Sequence, residues 1–228
     1  MTTTTTTRLR IWDAPTRLFH WLLASSTITL IVTAKIGGNA MEWHLRLGHL
    51  VLALLMFRII WGLVGGHWSR FSTFIPSPTS LIRYLQSKGT AQDHLGHNPL
   101  GALSVLAMLL ILGLQVGTGL ISDDEIAFAG SLVRYVSGET MAWATGWHKG
   151  WGQWLLYALL GLHVAAILFY TLVKREKLVT AMVHGDKTTS ALDAPASRDG
   201  MAAWASALCF AAACAVLAYW VWTRAAAF

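Results

Sequence analysis

Nine histidines stand out in this 228-residue chain, because five of them (His20, His44, His49, His148 and His163) fall within or at the edge of strongly apolar segments. Ionisable side chains are expensive in such surroundings, so each invites a functional reading. A neutral imidazole is a good ligand for a transition metal and also titrates near neutrality. Paired across a bundle of helices, two imidazoles can hold one six-coordinate iron, the chemistry of one-electron transfer.

The spacing sharpens this. His163 follows His148 by fifteen residues, which on one straight helix is ~22 Å of rise and ~60° of rotation. A single helix would then present two imidazoles on nearly one face, near opposite membrane surfaces. If adjacent spans run antiparallel, His44 shares the depth of His148, and His20 that of His163. Two sites of two histidines each are expected. Arg58, ~21 Å along from His44, falls at the level of His163; it either pairs with a haem propionate or snorkels toward water. His49 is the alternative to His44: five residues apart on a helix, the two cannot face one iron, and depth favours His44. His94 and His97, before the third span, read either as solvated residues of a helix-entry turn or as proton-exchange groups for a quinol. His67 and His184 read as loop residues without a signal.

The elements that must position these residues follow from composition. The chain is 55% apolar and only 12% charged, with a mean hydropathy of +0.52, far from a typical soluble domain. Five stretches suit the ~30 Å hydrocarbon core: 17–36, 45–65, 100–120, 151–173 and 202–222. All five are expected to be helices, since backbone groups in lipid must bond within their own segment. The fold class is therefore all-α: an integral membrane four-helix haem-binding bundle over 1–184, a flexible linker over 185–200, and an additional C-terminal transmembrane helix over 201–228. Asp13 is expected to cap the first helix, with Pro15 in its first turn, and 121–146 to carry an amphipathic stretch, Leu132, Val133, Val136 and Met141, on the outer surface.

Lys and Arg concentrate in the N-terminal arm and in the second and fourth loops, whereas the third loop holds Asp123, Asp124 and Glu125. The positive-inside rule then places the N-terminus in the cytoplasm of a bacterial inner membrane and Phe228 outside. The net charge of +6 is explained by this bias, and no nucleic-acid partner is needed. The threonine run at the N-terminus lacks the apolar core of a signal peptide and reads as a disordered tail. Cys209 and Cys214 are five residues apart and so do not face one another on a helix, and neither belongs to a Cys-x-x-Cys-His motif, so neither a disulfide nor covalent haem is implied.

Several stretches resemble one family. They are Trp12-Asp-Ala-Pro-Thr-Arg-Leu-Phe-His20-Trp, Glu42-Trp-His44-Leu-Arg-Leu-Gly48 with Phe57-Arg58-Ile-Ile-Trp61-Gly62, Leu95-Gly-His97-Asn-Pro-Leu-Gly101, and Trp147-His148 with Gly161-Leu-His163. Together, over 8–184, they resemble the prokaryotic cytochrome b561 family, which is similar to the cytochrome b subunits of nickel-iron hydrogenases. The resemblance implies two non-covalent b haems ligated by His20, His44, His148 and His163. The chain departs from the pattern at His49 and in its fifth helix. The expected function is transmembrane electron transfer between the quinone pool and a redox partner such as a cytochrome c, which the acidic outer loop could dock. The alternatives are a membrane anchor subunit of a hydrogenase or other dehydrogenase, or a stand-alone quinone reductase that oxidises superoxide. A metal transporter, the reading from another class, is disfavoured because Asp and Glu are kept out of the spans.

Overall fold

The computed structural model of the chain describes residues 7–86, 88, 95–189 and 194–224. His94, the threonines before Thr7 and Phe228 lie outside these residues, as do the expectations placed on them. In chain order the elements are β1 (Thr7–Arg10), α1 (Ala14–Ile36), α2 (Ala40–Val64), α3 (Phe71–Phe74), α4 (Pro78–Leu85), α5 (Pro99–Leu120), α6 (Gly138–Lys149), α7 (Trp151–Leu172), α8 (Leu178–His184), β2 (Asp186–Thr189) and α9 (Met201–Thr223), with short 3₁₀ turns at His67–Ser69 and Val133–Tyr135.

Among the described residues, five helical stretches are long and apolar enough to cross a membrane: α1, α2, α5, α6 with α7, and α9. Their apolar side chains are widely exposed, as at Ile36, Leu110 and Leu208. A soluble protein does not present so much greasy surface; here it is the face offered to lipid, and the chain is a multi-pass membrane protein. Since lipid is as apolar as leucine, these helices are held to one another by close packing and interhelical hydrogen bonds rather than by water exclusion.

The chain divides into two compact units. One comprises residues 1–18, 58–106 and 162–207. Its core gathers Ile11, Trp12, Trp68, Leu95 and Ala181, and β1 pairs antiparallel with β2 in the register Thr7↔Thr189 to Arg10↔Asp186. The second comprises 19–57, 107–161 and 208–228, with Val51, Leu55, Leu112 and Leu156 at its centre.

Two sequence expectations change. The stretch 185–200, read as a flexible linker from its small and polar residues, is strapped down wherever it is described. Beyond the β1–β2 ladder, Arg10 forms ion pairs with Asp186 (2.5 Å) and Asp199, and the buried Ser197 binds Arg10 and Ile11 backbone. Trp68 Nε1 donates to the Pro195 carbonyl at 2.7 Å. These bonds are all made to residues far away in sequence, which composition cannot register.

The fourth span is also not one straight helix from His148 to His163. The chain turns at Gly150, which ends α6 with φ −106° and ψ −111°. A Cβ there would stand 2.5 Å from the Gly146 carbonyl oxygen, so only glycine fits this close approach. His148 therefore occupies the last turn of α6 and His163 the body of α7, and the rotation expected for a continuous helix does not apply.

Candidate haem-binding site

The second unit brings His44 and His148 together. α2 begins at Ala40, earlier than hydropathy suggested, which puts His44 a full turn inside the helix. Its ring centroid lies 6.1 Å from that of His148, with the planes at 88°.

Each imidazole is fixed by a backbone carbonyl. His44 Nδ1 lies 3.0 Å from the Leu30 oxygen in α1, and His148 Nδ1 lies 2.9 Å from the Gln115 oxygen in α5. A carbonyl only accepts, so Nδ1 of each ring must carry the proton, leaving the Nε2 lone pair of each for a Lewis acid. Metal-ligating histidines are commonly oriented in this way.

The two supports are built alike. Leu30 is followed three residues on by Thr33, and Gln115 by Thr118; each buried threonine hydroxyl bonds the carbonyl four residues back (Thr29, 2.8 Å; Leu114, 2.6 Å) and also approaches that anchoring carbonyl, at 3.1 and 3.2 Å. Gln115 also donates its side-chain Nε2 to the His148 carbonyl at 3.2 Å, and a Cβ on Gly119 would lie 2.9 Å from His148 Cε1. The ring thus packs on a helix surface that only glycine leaves open.

Haem b is the group this pair has to suit. The rings stand 6.1 Å apart between centroids, and the two Nδ1 bonds leave both Nε2 lone pairs open; His44 and His148 would thus hold such a group, which would supply one-electron redox chemistry.

His49 does not share this arrangement. It is buried, its Nδ1 donates to the Leu45 carbonyl (2.8 Å), and its Nε2 takes the Ser131 hydroxyl at 2.9 Å. With both nitrogens engaged it ties α2 to the loop before α6, and its ring meets the edge of Trp222 in α9 at 5.0 Å.

The remaining candidates are divided between the units. His20, half-buried beside Trp21, lies in the second unit; His163 and Arg58 lie in the first. Arg58 does not snorkel into water. It is 3% exposed, donates from Nη1 to the Ser69 carbonyl at 3.0 Å, and stacks over Phe71 and Phe74 at 4.8 and 5.8 Å. His97 is likewise not a solvated turn residue, since Trp12 and Phe74 both contact its ring at 4.6 Å.

Asp13 does much more than the capping expected of it. Its carboxylate accepts Thr16 N (2.8 Å), the Ser69 hydroxyl (2.7 Å), Trp61 Nε1 and Gly66 N. This fully buried hub fixes the start of α1 against the end of α2 and orients the first turns that lead to His20. Sequence carried only its capping signal; the other donors lie some fifty residues away.

In the acidic loop, Asp124 accepts the backbone N–H of Ile126, Ala127 and Phe128 through one oxygen. Those bonds hold its carboxyl below the usual carboxylate range. Its negative charge is spent largely on shaping its own loop.

Comparison with known proteins identifies the family. The family model for prokaryotic cytochrome b561 matches residues 11–185. A probable Ni/Fe-hydrogenase B-type cytochrome subunit of Azotobacter vinelandii is 28% identical over 213 aligned positions, covering 78% of this chain and 88% of that protein. Proteins of the same description from Bradyrhizobium diazoefficiens (24% identical, 78% and 85% covered) and, for hydrogenase 1, Escherichia coli K12 (25%, 77% and 88%) are also similar. No solved structure matches significantly. With a family match over most of its length and five candidate spans, the chain belongs to the prokaryotic cytochrome b561 family of electron-transferring membrane b-type cytochromes.

Proposed function

We propose that this chain is the membrane-anchoring cytochrome b subunit of a hydrogenase or another dehydrogenase, holding two b haems and passing electrons between that partner and the quinone pool. The observation that carries the reading is the His44–His148 pair, with its 6.1 Å separation and its two Nδ1 anchors. The partner class is supported by the printed descriptions of the relatives, which favour a dehydrogenase over the cytochrome c first expected.

Bound haem supplies one-electron redox chemistry. The chain's part is to hold and orient it. His44 and His148 would serve one group; His20 and His163 would serve the other, with Arg58 as a buried cation for a carboxylate. The carbonyls of Leu30 and Gln115 keep the ligand rings in one tautomer, and the apolar spans exclude water. The Lys and Arg bias supports an N-terminus in the cytoplasm of a bacterial inner membrane.

The test is purification from native membranes through a tag on this chain. A dehydrogenase subunit should co-purify, and that enzyme's substrate should reduce the haem without added mediator. Haem reduced by quinol alone, with no partner retained, would favour the stand-alone quinone enzyme.

A further inference from the structure

The first unit contains a cavity of about 950 Å³ that none of the chemistry above uses. Four cations line it: Arg8 at the start of β1, Arg175 and Lys177 just past α7, and Lys187 on β2. Two carboxylates, Glu176 and Asp186, face them, and Asp186 is already held by Arg10 at 2.5 Å. The lining therefore keeps an excess of positive charge. Burial pushes the Lys187 ammonium below its ordinary value, with Glu176 partly restoring it; a further anion would favour its charged form.

Position decides which anion. α7 ends at Leu172, so Arg175 and Lys177 stand within a few residues of the end of a span. Leu172, Val173, Val179 and Val183, on and around α8, expose 71%, 64%, 45% and 47% of their surface. Two of these exposed apolar residues are chain neighbours of cavity-lining ones, Val179 beside Thr180 and Val183 beside His184, a juxtaposition that suits the acyl chains and headgroup of one lipid. Arg175, one of two non-glycine residues among those described with positive φ (56°), a conformation that costs energy, is among the residues that line the cavity.

We infer that this cavity binds the phosphate headgroup of an anionic membrane lipid, with Arg8, Arg175, Lys177 and Lys187 as its cationic partners. Neither haem attachment nor the redox partner enters into this assignment.

The test uses the full-length haem-loaded protein in phosphatidylcholine nanodiscs, titrated with phosphatidylglycerol and with cardiolipin and followed by native mass spectrometry. Wild type should retain anionic lipid. The triple variant Arg8→Gln/Arg175→Gln/Lys187→Gln should lose about two orders of magnitude in affinity, roughly a factor of five per cation, while Lys88→Gln should match wild type. Arg175→Gly relieves the positive φ and so does not threaten the fold; it should bind about fivefold more weakly with an unchanged visible spectrum. Two results would overturn the inference: affinities unchanged in Arg175→Gly and in a correctly folded triple variant, or inorganic phosphate alone displacing the lipid at equal concentration, which would make the cavity a free-phosphate site.

Discussion

His44 and His148 lie with ring centroids 6.1 Å apart, each held through Nδ1 by the carbonyl of a third and a fourth helix. Four spans thus meet at one pair of imidazoles, and the ligand assignment can be tested apart from the fold. His44→Ala should remove about half the bound haem or give a high-spin component in the visible and EPR spectra. His49→Ala should keep both low-spin haems, because its nitrogens serve Leu45 and Ser131. The opposite pattern would transfer the ligand to His49.

Gly119 should be as sensitive as a ligand while lacking any ligating atom. The methyl of Gly119→Ala would stand 2.9 Å from His148 Cε1, so the ring or α5 has to shift. Overpacking of this kind costs about 1–3 kcal/mol. The expected outcome is a lower thermal midpoint and a changed midpoint potential for one haem only. An unaltered redox titration would show that the ring has room to give.

Asp13→Ala should be among the most damaging substitutions outside the histidines. It removes the carboxylate acceptor of Thr16 N, Trp61 Nε1 and Gly66 N, leaves the Ser69 hydroxyl with Thr16 Oγ1, and deprives the buried Arg58 of a nearby countercharge. Such a loss is worth about 3–5 kcal/mol. Asp13→Asn retains an acceptor and should fall in between. Thermal unfolding in detergent, followed by haem absorbance, ranks the three proteins.

Much of this was legible in the sequence. The five spans follow from hydropathy, and the pairing of His44 with His148 from depth together with the family resemblance. The break at Gly150 was hidden, because a glycine in an apolar run looks the same whether or not the helix turns there. The anchoring carbonyls of Leu30 and Gln115 were hidden as well, since every residue has one; Thr33 stands eleven residues before His44 and Thr118 thirty before His148, so the two supports share no local pattern. The strap at 195–199 was missed because its strength lies in Arg10, Ile11 and Trp68, at the far end of the chain.

The acidic loop should respond to pH in a defined window. Its backbone bonds depress the Asp124 carboxyl below an unfolded value of about 3.9. A depressed acid contributes stability that is fully present above the unfolded value and is lost as pH falls through the folded one. Hydrogen exchange at Ile126, Ala127 and Phe128, corrected for intrinsic rates, should thus keep constant protection from neutrality down to about pH 4 and lose it below. Loss already near pH 6 would contradict this arrangement, and Asp124→Ala should abolish the protection at every pH.

The most direct measurement is the haem stoichiometry of the purified chain. A pyridine haemochrome assay against quantitative amino-acid analysis should give about two b haems per chain, both low-spin by EPR, as two sites of two histidines each require. One haem would confine the account to the His44–His148 site and remove the roles proposed for His20 and His163; none would contradict it altogether.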